Sequence, residues 1–347
     1  MRTFRCDSCG GKLYFENDTC LACGEKVGFR THELTMSTAS AAAAAGMQPC
    51  PNWTRYAACN WFTPGSTGDG DYCVSCGLNE VVPDLADPQR RALWIETERA
   101  KRRLIFTLLE LGLPLAGFGD KLGLRFRLLA DERVDTGAVD PPEENPIYTG
   151  HDKGCLTLNI IEADDTHREA MRKRLNEPYR TMLGHLRHEV GHYYWYLLVD
   201  GTPLQPEFRT LFGDERTDYQ ASLKSHYAIG APDSWQQSFV STYASAHPWE
   251  DFAETWAHHI HILDTLETAS DSTIAVGGRA IVSPLPLAAE REFDDLLTEW
   301  LTLSICLNQL NRSMGTRDAY PFTLSDRVIE KLKFVHQIRR ARPARLQ

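Results

Sequence analysis

Residues 188–192 read His188-Glu189-Val190-Gly191-His192. On a helix, side chains four apart share a face, about 40° apart around the axis and about 6 Å along it. Two imidazoles placed that way can bind one zinc ion. The glutamate between them then points to the ion's open position, where it can take a proton from a water. Chance supplies a five-residue pattern fairly often, so the surroundings have to support it. Residues 176–187 predict a helix opened by Pro178 near its first turn, and Asp200-Gly201-Thr202-Pro203 ends it. Tyr193, Tyr194, Trp195, Tyr196, Leu197, Leu198 and Val199 make that helix apolar around much of its circumference. Two histidines and a carboxylate inside such a helix are costly unless paired or metal-bound. The bland alternative is a buried helix with hydrogen-bonded histidines.

A catalytic zinc takes three protein ligands and leaves a fourth position to water. Downstream, Pro248 near a first turn predicts a second helix, in the stretch His247-Pro248-Trp249-Glu250-Asp251-Phe252-Ala253-Glu254-Thr255-Trp256-Ala257-His258-His259-Ile260-His261. Glu250 and Glu254 share a face there. Glu250, nearer the positive end, is the expected third ligand. Glu254, one turn on, is placed to accept a hydrogen bond from a ligating histidine and fix its tautomer. Glu254, Asp251, His247 and His258 compete for the ligand role, and an acidic helix start favoured by the dipole is the bland reading. His261 lies about 16 Å further along the helix than Glu250, too far to join it. His258 and His259 read as helix-packing or surface residues.

The other metal-like residues are cysteines. Eight of the ten fall in the first 76 residues. Cys6-x2-Cys9 is followed after ten residues by Cys20-x2-Cys23, and Gly10 and Gly24 trail the two pairs as tight turns require. This is the pattern of a zinc ribbon, with Lys12-Leu13-Tyr14-Phe15 as one short strand. Cys50, Cys59, Cys73 and Cys76 read as a second four-thiolate site. Its first pair is stretched to eight intervening residues, with Trp53 where a compact knuckle would place a cysteine. Four thiolates leave no open position, so both sites are expected to be structural or to dock a protein partner. Both ribbons are far too small to fold on apolar burial, so metal is expected to supply their stability. Cys155 and Cys306 read as buried thiols.

Composition bounds what remains. Hydrophobic content of 42% and charged content of 24% over 347 residues are those of a globular protein long enough for one large domain plus small modules. No run of about 18 apolar residues predicts a membrane span. The start, Met1-Arg2-Thr3-Phe4-Arg5-Cys6, shows no apolar signal segment, and zinc thiolates suit a reducing compartment, so a cytoplasmic location is expected. A net charge of −10 argues against nucleic acid or an anionic membrane as a partner. The Ala/Ser-rich stretch 35–48 reads as a flexible linker. Asp87-Pro88 opens a helix to Leu111 whose Arg90, Arg91, Arg99, Lys101, Arg102 and Arg103, interleaved with Glu96 and Glu98, read as a solvated face. Leu124–Leu129 and Gly154–Ile161 read as strands, the second as a cleft edge for an extended peptide. The 57 residues between His192 and Glu250 are expected to form a helical lobe, and helices at about 287–313 and 325–339 to complete the core through Leu296, Leu297, Trp300, Leu301, Leu303 and Leu307.

Taken together, the chain resembles a zinc-binding metallopeptidase family that couples an amino-terminal zinc-ribbon region to a gluzincin-type catalytic domain. The resemblance covers nearly the whole chain. It is carried by Cys6–Cys23, Ala58-Cys59-Asn60-Trp61, Ala100-Lys101-Arg102-Arg103-Leu104, Gly184-His185-Leu186-Arg187-His188-Glu189 and His247-Pro248-Trp249-Glu250. It implies an α+β fold: a mainly helical, zincin-like metallopeptidase domain with a small sheet, preceded by two small zinc ribbons. The expected division is 1–34 first ribbon, 35–48 linker, 49–86 second ribbon and 87–347 zincin-like domain. The gluzincin pattern implies His188, His192 and Glu250 as ligands and Glu189 as general base. The lethal-factor type of gluzincin is similar in detail. Its Glu-Phe-Phe-Ala-Glu is matched by Glu250-Asp251-Phe252-Ala253-Glu254, and its tyrosine seven residues before the ligand glutamate by Tyr243. A phenol there can hydrogen-bond an oxyanion, although a buried aromatic is an equal reading of Tyr243.

The expected activity is zinc-dependent hydrolysis of a peptide or protein substrate, with one catalytic and two structural Zn2+ ions. Two rivals stand beside it. A protease of DNA–protein crosslinks also joins a ribbon to a His-Glu-x-x-His helix, but it uses a histidine as third ligand, and the acidic charge speaks against it. A non-catalytic module whose ribbons dock partners is the other.

Overall fold

The computed structural model describes residues 1–65, 72–117, 121–131, 133–136, 146–175, 181–282 and 291–340. The expected helix start at Pro178 and the first four residues of the tail helix expected at 287–313 lie outside them. The fold is α+β, with long helices and small sheets. Two compact units divide the chain: Met1–Pro114, Arg125–Thr149 and Thr157–Leu175 form one, and Leu115–Leu124, Gly150–Leu156 and Asn176–Gln347 the other. Among the described residues no helix is long and apolar enough to cross a membrane.

In the first unit, β1 (Phe4–Arg5) pairs antiparallel with β2 (Lys12–Leu13), and β3 (Val27–Arg30) with β4 (Thr35–Thr38). A further hairpin joins β5 (Met47–Pro49) to β6 (Phe62–Pro64). The stretch 35–48 is therefore not a flexible linker. It pairs as β4, then forms the short helix Ala39–Ala44, whose N-cap Thr38 accepts a hydrogen bond from the Ala41 N–H. Thr38 N–H and Ser37 Oγ both donate to Asp7, which ties the stretch back to the first ribbon. Alanine's helix preference and a threonine cap suffice once β3 offers a partner strand.

The two ribbons share one aromatic core. Phe4, Phe15, Phe29 and Trp61 are buried around Phe106, which comes from the helix Pro88–Glu110. Their ring centroids lie 4.8–6.4 Å apart. Gly28 permits this fusion, because a Cβ there would stand 2.6 Å from Asn60 O and from the Trp53 ring. Apolar burial thus contributes beside metal, contrary to the expectation of ribbons held by metal alone.

The basic residues of that helix are not a uniformly solvated face either. Lys101 is fully buried, with Nζ donating to Glu98 Oε1 at 2.8 Å and to Asn79 Oδ1. Arg102 donates to Ala58 O and Arg103 to Glu16, while Arg99 with Glu96 stays exposed as expected. Burying guanidinium and ammonium groups is tolerable because each finds an acceptor in the ribbons or beside them.

The four-stranded sheet has the order β7 (Asn79–Val81), β8 (Arg125–Leu129), β10 (Cys155–Asn159), β9 (Gly150–Asp152). The strand expected as a cleft edge, β10, is an inner strand, and β9 is the edge. Alternation of Leu156 and Leu158 with polar neighbours forms the strand but cannot say which side is left unpaired.

In the second unit two helices dominate, Met182–Leu198 (the motif helix) and Pro248–Asp271 (the acidic helix). Thr181 caps the motif helix through Oγ, which accepts from the Gly184 N–H at 3.0 Å. Tyr194 stacks on Trp256 at 4.6 Å, and Trp195, Phe208, Phe212, Phe252 and Phe334 extend the core. Helices Gln205–Phe212 and Tyr219–Ile229 fill the interval between the motif and acidic helices. The tail helices are Phe293–Ser313 and Asp326–Arg340. Leu296, Leu297, Trp300 and Leu303 are buried, whereas Leu301 is exposed.

Besides His188 and His247, three histidines of this unit are buried. His258 Nδ1 lies 2.7 Å from Tyr320 Oη, and His259 Nε2 lies 3.1 Å from His336 Nδ1. Burial lowers the pKa of His258 and of His336 to about 4 and holds His259 well below its ordinary value. As pH falls below about 6.5 the unfolded chain binds these protons before the folded one does. Stability is complete above that pH and is lost toward pH 4, at about 1.4 kcal/mol per pH unit for each histidine. Urea midpoints measured from pH 7.5 to 4.5 are expected to fall accordingly, and His336→Gln to flatten the slope by about one proton.

Candidate metal centre

The motif helix and the acidic helix cross at Gly191. A Cβ at that position would stand 2.9 Å from Ala253 Cα and 3.2 Å from both Ala253 O and Trp256 Cβ. With glycine the backbones approach closely, and the ends of three side chains meet. His188 Nε2 lies 3.0 Å from Glu250 Oε2 and 3.2 Å from His192 Nε2, and the third edge, His192 Nε2 to Glu250 Oε2, is 3.6 Å. A tetrahedral zinc with ligands at about 2.0–2.1 Å has ligand–ligand edges of about 3.3 Å. The three observed edges bracket that value. Glu250 Oε2 is buried and lacks a hydrogen bond, so it is available to a cation.

The outer atoms of His188 and Glu250 are held. His188 Nδ1 lies 2.7 Å from Glu254 Oε1, so that nitrogen carries the proton and Nε2 keeps its lone pair in the neutral ring. Ser241 Oγ donates to Glu254 Oε2 at 2.6 Å. Tyr219 Oη donates to Glu250 Oε1 at 2.7 Å. Nothing in the spacing around Tyr219 marks it in the sequence, since it starts a separate helix 31 residues before its partner. Ser241 is equally silent.

Electrostatics favour positive charge here. Burial pushes the Glu250 carboxyl up, but the facing His192 and His188 outweigh it and hold the group well below the carboxylate range. Burial also pushes Glu254 up, and its hydrogen bond with His188 reverses this to about 2. Burial alone would lower the His188 pKa, yet the facing Glu250 and Glu254 raise it well above its ordinary value, a pull that a metal cation on Nε2 would satisfy in place of a proton. Two carboxylates aimed at one imidazole make a site that attracts a cation.

Glu189 is buried beside the cluster. Its Oε1 lies 3.1 Å from His185 Nε2, and its Oε2 has no hydrogen-bond partner. The His185 contact follows the i,i+4 rule that also sets His188 and His192, and it was legible in Gly184-His185-Leu186-Arg187-His188-Glu189. Tyr243 opens a short 3-10 helix, Tyr243–Ala246, and its ring lies 5.8 Å from that of His188. Burial, with the Glu250 charge, keeps its phenol protonated well above the usual range.

Each competing ligand is used elsewhere. Asp251 accepts from Lys331 Nζ at 2.6 Å, and His258 meets Tyr320. His247 caps the acidic helix: Nδ1 accepts from the Trp249 N–H at 3.1 Å and Nε2 lies 3.2 Å from Thr217 O.

The eight amino-terminal cysteines form two further clusters. In the first, Cys6 Sγ and Cys23 Sγ are 3.8 Å apart, and Cys9 Sγ and Cys20 Sγ are 3.7 Å apart. In the second, Cys50, Cys59, Cys73 and Cys76 are all buried, with Cys59 and Cys73 3.7 Å apart. A tetrahedral zinc with Zn–S of about 2.3 Å has sulfur–sulfur edges of about 3.8 Å. The long interval from Cys50 to Cys59 is taken up by the helical turn Pro51–Tyr56 and by Ala57 at φ +53°, which turns the chain back. Trp53 packs on Phe62 at 5.4 Å instead of a metal.

Such a molecule is a zinc-ribbon region followed by a metallopeptidase domain. The chain belongs to the family described as "Putative zinc-binding metallo-peptidase", whose family model matches residues 90–338. A zinc-ribbon domain matches residues 3–87, within which both cysteine clusters lie. Uncharacterized proteins from Mycobacterium bovis and Mycobacterium tuberculosis are 42% identical over 341 residues, covering 97% of this chain and 95% of each relative. No solved structure matches.

The helix crossing is the part of this centre most sensitive to one atom. Gly191→Ala gains about 1 kcal/mol of helix propensity but forces a methyl against backbone that cannot move cheaply. The net expectation is a loss of about 1–3 kcal/mol, read as a lower urea midpoint.

Proposed function

We propose that this protein is a gluzincin-type peptidase that hydrolyses peptide bonds with His188, His192 and Glu250 as zinc ligands and Glu189 as general base. The observation that carries this reading is the meeting of His188 Nε2, His192 Nε2 and Glu250 Oε2 within 4.8 Å of one another, next to a Glu189 oxygen that is buried and without a hydrogen bond.

A zinc ion on these ligands supplies Lewis acidity, bringing a water's pKa toward neutrality and polarising a carbonyl. Glu189, on the same helix and between the two ligand histidines, takes the water's proton on Oε2. His185 holds the other oxygen and so fixes which one faces the reacting water. After attack, Glu189 delivers that proton to the departing amine nitrogen. Tyr243, neutral and near His188, donates to the oxygen that gains charge at the former carbonyl. Glu254 keeps the His188 lone pair on Nε2, and Tyr219 fixes the rotation of the Glu250 carboxylate. The two cysteine clusters, complete with four thiolates each, serve structure.

Mass-spectrometric metal analysis is expected to find three zinc ions per chain in the wild type and in Glu189→Gln. A proteome-wide cleavage profile is expected to lose its products in that variant, with the rate on a single identified substrate falling about 10³-fold. Full cleavage by Glu189→Gln would overturn the assignment of the base. Tyr219→Phe is expected to weaken zinc binding at the inner site about 10- to 100-fold, measured by competition with a chelator while both cysteine sites stay loaded.

A further inference from the structure

His151, on the edge strand β9, stands beside this centre without a part in it so far. The chain turns sharply after β9: Lys153 and Gly154 both have positive φ, +43° and +88°. That is the pattern of a two-residue type I′ turn. Glycine suits such a turn, but a lysine in it is strained by about 1 kcal/mol. Gly154 has no room for a side chain either, since a Cβ would lie 2.7 Å from Gly123 O. The strained turn aims the Gly154 N–H at His151 Nε2, at 2.7 Å.

A backbone N–H can only donate, so Nε2 holds the lone pair and the neutral ring carries its proton on Nδ1. The ring stacks over that of His192, 6.2 Å between centroids and 19° between planes. Among the described residues Nδ1 has no hydrogen-bond acceptor. A donor is thus held next to a ligand of the metal centre, on an edge strand, with no acceptor for its proton among the described residues.

We propose that His151 is a substrate-binding residue whose Nδ1–H donates a hydrogen bond to a main-chain carbonyl of the bound peptide. This rests on the peptidase reading above. A main-chain carbonyl is the acceptor every peptide carries, and a donor fixed beside the metal selects for an extended chain rather than for any side chain. His151 acts in binding, not in the proton transfers assigned to Glu189.

The test uses the zinc-loaded full chain and two probes: acetohydroxamate, which engages the metal alone, and a Leu-Ala dipeptidyl hydroxamate, which adds main-chain carbonyls. His151→Phe keeps a ring of similar shape but no donor; His151→Asn returns an amide N–H near the Nδ1 position. By calorimetry, His151→Phe is expected to weaken the dipeptidyl hydroxamate about tenfold and acetohydroxamate less than twofold. His151→Asn is expected to recover most of the loss. Long-range 1H–15N correlation on histidine-labelled protein is expected to show the wild-type ring as the Nδ1–H tautomer. An Nε2–H tautomer, unchanged dipeptidyl affinity, or equal weakening of both probes overturns the proposal while leaving the peptidase reading standing. Failure of acetohydroxamate to bind the wild type overturns both.

Discussion

The absence of a side chain at Gly191 is the constraint from which the second unit's site follows. A helix pair separated by ordinary side chains would hold the ends of His188 and Glu250 too far apart to share one ion. Here the acidic helix comes within a Cβ's reach of the motif helix at Ala253, about one turn past Glu250 and next to Glu254. The stack of Tyr194 on Trp256, the next aromatic contact along the crossing, fixes the rotation of the two helices about that point. Ligand geometry in this protein is therefore a packing result before it is an electrostatic one.

Close approach also brings cost. Four ionisable groups, His188, His192, Glu250 and Glu254, are drawn together, and burial works against the charges on His188, Glu250 and Glu254. The arrangement answers by giving His188, Glu250 and Glu254 a second, outward anchor. Glu254 takes the far nitrogen of His188, Tyr219 the far oxygen of Glu250, and Ser241 the far oxygen of Glu254. These three groups are held against swinging away to solvate themselves, so the need for a cation persists. Those anchors come from three separate segments, and this is why the interval between the two helices folds as it does: Tyr219 starts one helix, and Ser241 precedes the 3-10 turn that carries Tyr243.

What could be read from sequence divides along the same line. Helical periodicity places His188, Glu189 and His192 without reference to anything distant, and the cysteine pairs carry their own short spacing. Glu250 could be argued because Pro248 announced a helix start and Glu254 stood one turn on. Tyr219, Ser241 and His151 could not, since each meets the site through tertiary contact from a segment with no local pattern. The stretch 35–48 was misread for a related reason. Low complexity resembles a linker, but β4 needs only a partner, and β3 supplies one. The basic face of the helix Pro88–Glu110 failed as well, because interleaved acids look solvated whether the partner is water or another module.

That face explains why the ribbons and this helix form one unit. Four thiolates around a divalent cation leave two net negative charges, and at the second cluster all four sulfurs are buried. At Cys76 the hydrogen bond with Cys50 raises the thiol's pKa, and the bonds with Cys59 and Cys73 together with the Lys101 charge more than offset it. Lys101 is itself buried and is shared with Glu98 and Asn79. Burial would neutralise Glu98, and Lys101 opposes this most strongly among its neighbours. One ammonium group thus serves both the sulfur cluster and the strand β7 that follows it. Arg102, one residue on, binds the carbonyl of Ala58 next to Cys59. Ala100-Lys101-Arg102-Arg103-Leu104, which carried part of the family resemblance, is the contact by which a helix outside the ribbons takes up their charge, and removing the metal would let the thiolates take up protons and so weaken the part of that contact made by Lys101.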